Sequence, residues 1–233
     1  MFRMTIYKVY KVKQMKKIII RIIAVSVIIG GVYSYLYYRV GNTSDFVSAY
    51  GDYVATWSEN EKTIYTVGAE KNIVRQNLNK ILTSVLDEKI TEEERLSLSI
   101  AGADPLAVIR LEIDAIKTSR EELELSTDVL SMRAKKVSGI RLRKKANELV
   151  ILTKKRNEII KEIETISYKM NDITKEIFQG IARDNGKLTD DRIRALNKQV
   201  PEAEKDFDRL NELYRTLKES KGELKIAYNK FIK

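Results

Sequence analysis

The sequence predicts an all-α protein: a single N-terminal transmembrane helix followed by an elongated, antiparallel, coiled-coil-like bundle of four long helices. Three observations predict it. Residues 18–38 read IIIRIIAVSVIIGGVYSYLYY, an apolar stretch with one charge, and as a helix it covers roughly 30 Å, the thickness of a hydrocarbon core. Helix breakers are scarce, with 10 Gly and 2 Pro in 233 residues. Apolar residues in the second half recur at alternating steps of three and four, the repeat of packed helices.

The first element has a direction. Arg3, Lys8, Lys11, Lys13, Lys16 and Lys17 precede it without an acidic residue, whereas Arg39 is followed by Asp45, Asp52, Glu59 and Glu61. The positive-inside bias makes residues 1–17 a short basic cytoplasmic tail, 18–40 a retained signal anchor, and 44–233 an extracytoplasmic bundle at the cell membrane. The stretch lacks the small-residue cleavage site of a secretory signal. Tyr33, Tyr35, Tyr37 and Tyr38 suit the outer interface, and Arg21 is close enough to the inner end to snorkel. Ser26, Gly30 and Ser34 recur every four residues, a spacing that lets two transmembrane helices approach closely, although small residues are common in such spans. Asn42-Thr43-Ser44 has the form of a glycosylation sequon and also of a helix-starting cap.

Composition removes whole classes of chemistry. The chain has no Cys and no His, so disulfides, thiol nucleophiles, His-based triads and the usual zinc or copper ligand sets are not expected. Neither an enzyme nor a cofactor or metal site is expected. Of the 43 basic residues eight lie in residues 1–41, which hold no acid, leaving 35 against 33 acidic groups beyond them. The net charge of +10 is therefore mostly a targeting signal, and nucleic acid is not an expected partner.

The helices follow in order. The first is expected at about 44–86, carrying Val47, Tyr50, Val54, Trp57, Ile64, Leu78, Leu82 and Val85. Aromatics such as Tyr50, Tyr53 and Trp57 read first as core and second as a ligand-pocket lining. Thr91 and Glu94 make a capping box for a short helix ending near Gly102. Asp104-Pro105 then reads as the start of a helix at about 105–137, since Asp caps free amides and Pro fits a first turn. Its seam loses phase at Ser138-Gly139, which reads as a tight turn, with one continuous stuttering helix as the alternative.

A second seam, at about 140–179, passes through Leu142, Lys145, Leu149, Leu152, Arg156, Ile159, Ile163 and Ile177. Asp184-Asn185-Gly186 suits a turn with a left-handed residue. It fails as a calcium loop, because Ile181 and Arg192 stand where carboxylates are required. Thr189 then caps a last helix, at about 189–231, whose seam runs Ile193, Leu196, Val200, Ala203, Phe207, Leu210, Tyr214, Leu217, Lys221, Leu224, Tyr228 and Phe231, with Pro201 expected as a kink.

Short connections favour an up-down-up-down bundle. Folding the last two helices about Asp184-Asn185 sets Ile177 against Ile193, Ile163 against Phe207 and Leu152 against Leu217, and places Arg156 opposite Tyr214 as a cation–π pair or as a snorkelling side chain. The same topology returns the Ser138-Gly139 turn to the membrane end. Around it cluster Arg133, Lys135, Lys136, Arg141, Arg143, Lys144 and Lys145, read either as a contact for anionic headgroups or an acidic partner, or as a solvated helix face.

These readings together predict a structural or adaptor protein acting by protein–protein contact at the cell envelope. The expected partners are the lipid bilayer and one or more proteins, self-association included. The rival expectations are a ligand-sensing ectodomain that signals through a separate membrane partner and, with inverted topology, a cytoplasmic coiled-coil adaptor. In outline the layout resembles the extracellular four-helix bundles of bacterial chemoreceptors. Unlike them, residues 1–233 are expected to contain neither a second span nor a cytoplasmic signalling domain.

Overall fold

A computed structural model of the chain describes residues 31, 32, 34, 38, 40–65, 80, 81, 83–85, 87 and 89–233. The tail at 1–17 and most of the apolar stretch at 18–38 lie outside these residues, as do Ser26 and Gly30, whereas Ser34 is helical and exposed. Among the described residues no helix is long and apolar enough to cross a membrane, and there is no strand. Four long helices are present: α1 (residues 40–65), α2 (Glu92–Lys136), α3 (Ile140–Arg183) and α4 (Asp190–Ile232). Residues 80, 81 and 83–85 form a further helical piece before α2, and the expected continuity of one helix from 44 to 86 falls on residues outside those described.

α2 starts where the capping box places it. The Thr91 hydroxyl accepts from the Glu94 amide at 3.2 Å, and the Glu94 carboxylate accepts from the Thr91 amide at 2.9 Å. Those bonds hold the Glu94 carboxyl below its ordinary range. The break expected at Asp104-Pro105 does not form: α2 runs 45 residues with Pro105 inside it. Arg95, Ser99 and Gly102 are buried in phase with Leu106 and Ile109, so one face packs continuously on both sides of the proline. At Gly102 the Phe178 ring of α3 lies where a Cβ would stand, 2.6 Å from its nearest atom. This packing outweighs the lost amide and the carbonyl clash of an interior proline, a cost of about 3 kcal/mol.

Val137-Ser138-Gly139 reverses the chain, with Gly139 at φ 92°, so α2 and α3 form a hairpin and not one stuttering helix. α3 extends about one turn beyond its expected end, to Arg183. It is followed by Asn185 at φ 51° and Gly186 at φ 80°, the left-handed residues that the turn requires. α4 is capped by Thr189, whose hydroxyl accepts from the Arg192 amide, and continues through Pro201.

α3 packs between α2 and α4, and this explains where the expected seams are incomplete. Its second buried face meets α2 through polar pairs that an apolar count passes over. Asn157 donates to Thr127 at 3.0 Å, Arg120 pairs with Glu164 at 2.6 Å, and Tyr168 bonds Asp114. α4 buries Leu196, Leu210, Leu217, Leu224 and Phe231 of its expected seam, and the buried stripe also takes in positions beside that seam. Leu213 and Ser220 are buried, while Lys221 reaches out to Glu61 at 2.7 Å. Within that seam Phe207 is only half-buried beside the buried Leu210, and Ile193 is 41% exposed on an open groove of about 660 Å³, while Leu196, the next seam position, joins Ile177. The hairpin register itself lies within roughly two turns of the expected one, as Arg209 to Glu162, Lys169 to Glu202 and Lys155 to Glu223 show. Leu152 accordingly shares a groove with Glu223 and Ala227.

The apolar core has two parts. In one, α1 joins the other three helices through Phe46, Tyr53, Trp57, Leu123, Leu149, Ile163, Leu217 and Phe231. In the other, Val85 packs with Ile109, Ile113, Ile177, Phe178 and Leu196. The first part contains one end of the bundle, the base, where Phe46 meets Phe231 at 4.9 Å between ring centroids and Asp45 pairs with Arg133 at 3.0 Å. The opposite end is closed by Val85, Asp87 and Ile90 and by the α3–α4 turn, which Arg95 ties together.

Candidate functional site

At the base, the start of α1, the α2–α3 turn and the end of α4 come together, and all seven predicted basic residues lie around them. Three are committed to the fold. Arg133 pairs with Asp45, Arg143 Nε donates to the Val137 carbonyl at 3.0 Å, and Lys145 donates to the Lys230 carbonyl in the last turn of α4, where a cation also favours the helix dipole. Lys135, Lys136, Arg141 and Lys144 are exposed and make no ion pair among the described residues. Between them stands Ile140, 91% exposed, a large apolar side chain at the tip of a basic turn.

The second feature is internal. Arg156 is 2% exposed, and its Cζ lies 3.5 Å from the centroid of the Trp57 ring on α1. The ring found over the guanidinium is thus Trp57, the kind with the strongest attraction for a cation. Tyr214 lies beside Tyr65, with centroids 6.5 Å apart. The α3–α4 register alone misses this, because the partner ring comes from a helix about 100 residues away in sequence.

Further α1 aromatics surround the guanidinium. Tyr50 stacks on Tyr228 of α4 at 4.6 Å, and Tyr65 meets Trp57 edge-on at 6.4 Å. Burial pushes the Tyr50 phenol up to about 12, reinforced by Tyr53 and opposed by Arg156. Burial likewise raises Tyr53 and Tyr65, and the Arg156 charge, within hydrogen-bonding reach, works against it in both. These phenols are neutral donors over the ordinary pH range.

Among the described residues no group of three His, Cys, Asp or Glu side chains is placed to hold a metal ion. No protein-family model, curated protein or solved structure gives a significant match to the chain.

Proposed function

We propose that this protein is a membrane-anchored helical bundle that acts by protein contact, with its basic base apposed to an anionic bilayer surface. One observation carries the reading: four exposed cations, unpaired among the described residues, flank Ile140 in the turn at the same end to which the chain leads from its long apolar stretch. Basic side chains around a protruding apolar one suit a headgroup region, where the cations meet phosphates and the side chain enters the acyl boundary. The absence of His and Cys favours a structural or adaptor role over catalysis. A bundle that responds to a bound small molecule is the second reading, favoured by the cationic aromatic cluster at Arg156.

The fragment from Ser44, its helix content checked by circular dichroism, is expected to bind vesicles containing anionic lipid and to be released by salt. Each surface cation contributes about 1 kcal/mol. Reversing Lys135, Lys136, Arg141 and Lys144 to Glu is therefore expected to weaken binding by at least two to three orders of magnitude, at about 1.4 kcal/mol per tenfold. Equal binding to neutral vesicles would remove the proposal. Orientation is tested separately: a tag after Lys233 is expected to be reachable from outside intact cells, and exposure only after permeabilisation would place the bundle in the cytoplasm.

A further inference from the structure

Arg156 is a buried cation without a carboxylate partner among the described residues, and such groups are normally paired. The nearby acids are engaged elsewhere. Glu61, one turn along α1 from Trp57, holds Lys221; Glu164, two turns along α3, holds Arg120; Glu223 on α4 holds Lys155.

What surrounds Arg156 is a set of donors. Its own Nε and Nη2, the Trp57 indole Nε1 and the hydroxyls of Tyr53 and Tyr65 are all buried without a hydrogen bond of ordinary geometry. A phenol can accept as well as donate, but a guanidinium and an indole N–H can only donate. Tyr53 and Tyr65 stand within reach of Arg156. They cannot satisfy all of these donors, because each phenol that accepts from the guanidinium still has its own hydrogen to give. A fixed positive charge set among buried donors is the chemistry of an anion site.

We propose that Arg156, Trp57, Tyr53 and Tyr65 form an internal binding site for a small monovalent anion, of the size of a halide or of a short-chain monocarboxylate. The size limit comes from the close packing. Trp57 is in contact with the guanidinium, 3.5 Å from Cζ to ring centroid, and with the edge of Tyr65, 6.4 Å between centroids, so only a small ion is accommodated beside the Arg156 Nε and Nη2 that lack partners. Tyr65 is only half-buried, whereas Tyr53 and Trp57 are fully enclosed. The anion therefore enters on the Tyr65 side, and its charge offsets the cost of burying Arg156.

Trp57 is the only tryptophan in the chain, so its emission reports this site alone. The purified full chain is held at constant ionic strength while sodium gluconate is exchanged for sodium chloride or sodium acetate. The expected result is a saturable change in Trp57 emission together with a rise in the thermal midpoint. A response to chloride alone assigns an inorganic ion, and one to acetate alone assigns a carboxylate ligand. Arg156→Met keeps the side-chain volume and is expected to abolish the response. Tyr65→Phe removes one donor without emptying the core, and is expected to weaken the apparent affinity about tenfold, as loss of a hydrogen bond to a charged group does. Failure of the wild-type chain to distinguish chloride and acetate from gluconate overturns the proposal, as does an equal response in Arg156→Met. Should that variant not fold, an unchanged affinity in Tyr65→Phe overturns it equally.

Discussion

Gly186→Ala is expected to destabilise the protein by about 3–5 kcal/mol, through left-handed backbone strain and a steric clash acting together. Gly186 has φ 80°, and a Cβ built on it would stand 1.9 Å from the Glu92 carbonyl oxygen and 3.1 Å from the Leu96 amide nitrogen. Both neighbours are backbone of the first turns of α2, so neither can swing aside as a side-chain tip would. Relief requires the α3–α4 turn to lift away from α2, which breaks the hydrogen bond from Arg95 to the Gly186 carbonyl. Denaturant midpoints measure the effect, and a loss below about 1 kcal/mol would show that the turn and α2 are not in contact. Asn185→Gly is the control: its φ of 51° suits glycine, so little change is expected.

Arg95→Met is expected to be of comparable severity, about 3–5 kcal/mol. The Arg95 side chain is buried, and its guanidinium donates to the carbonyls of Val85 at 2.8 Å, Asp87 at 2.9 Å, Gly186 at 3.1 Å and Ile90 at 3.3 Å. Removing it orphans several buried carbonyls at once, each costing about 1–3 kcal/mol when unsatisfied. Lysine has one ammonium and no fork, so Arg95→Lys is expected to recover only a minor part. Urea unfolding, with hydrogen exchange at the amides of the first turns of α2, reads the loss; near-wild-type values for Arg95→Met would refute the account. Because Arg95 and Gly186 share a hydrogen bond, the double variant is expected to lose less than the sum of the two.

The fold is legible in the sequence where it is periodic. The seams, the Thr91 and Thr189 caps and both turns follow from spacing and from residues with a fixed local role. Pro105 misleads because a proline at the first position of a helix and one inside it have the same local sequence. The longer-range signal was available: Arg95, Ser99, Gly102, Leu106 and Ile109 keep steps of three and four across the proline, and all five are buried. They escape an apolar count because three of them are not large apolar residues. The Arg156 site was half legible. A charge in an apolar seam marks the position, but its partner ring comes from α1, and no periodicity within α3 and α4 carries that information. The fold role of Arg95 has no local signature, since its acceptors are carbonyls of segments brought together only by the tertiary structure.

The way α1 is held has a consequence for assembly. The α2–α3 and α3–α4 hairpins close through short turns, so their contacts form between neighbouring segments. α1 packs against α2 and α3, through Asp45–Arg133 and Trp57–Arg156, but its contacts are completed only by the far end of α4, with Glu61 and Lys221 separated by 160 residues. At about 5–20 residues per second of synthesis, Glu61 waits roughly 8–30 s for its partner. Closing so long a loop adds little to the entropic cost, which grows only logarithmically with length, so the effect is one of timing and not of final stability. During that interval Phe46, Tyr53 and Trp57 have no complete core to enter. The first of the four long helices to be made is thus completed only with the last, and the Tyr50 and Phe46 rings lack their α4 partners until translation reaches Tyr228 and Phe231.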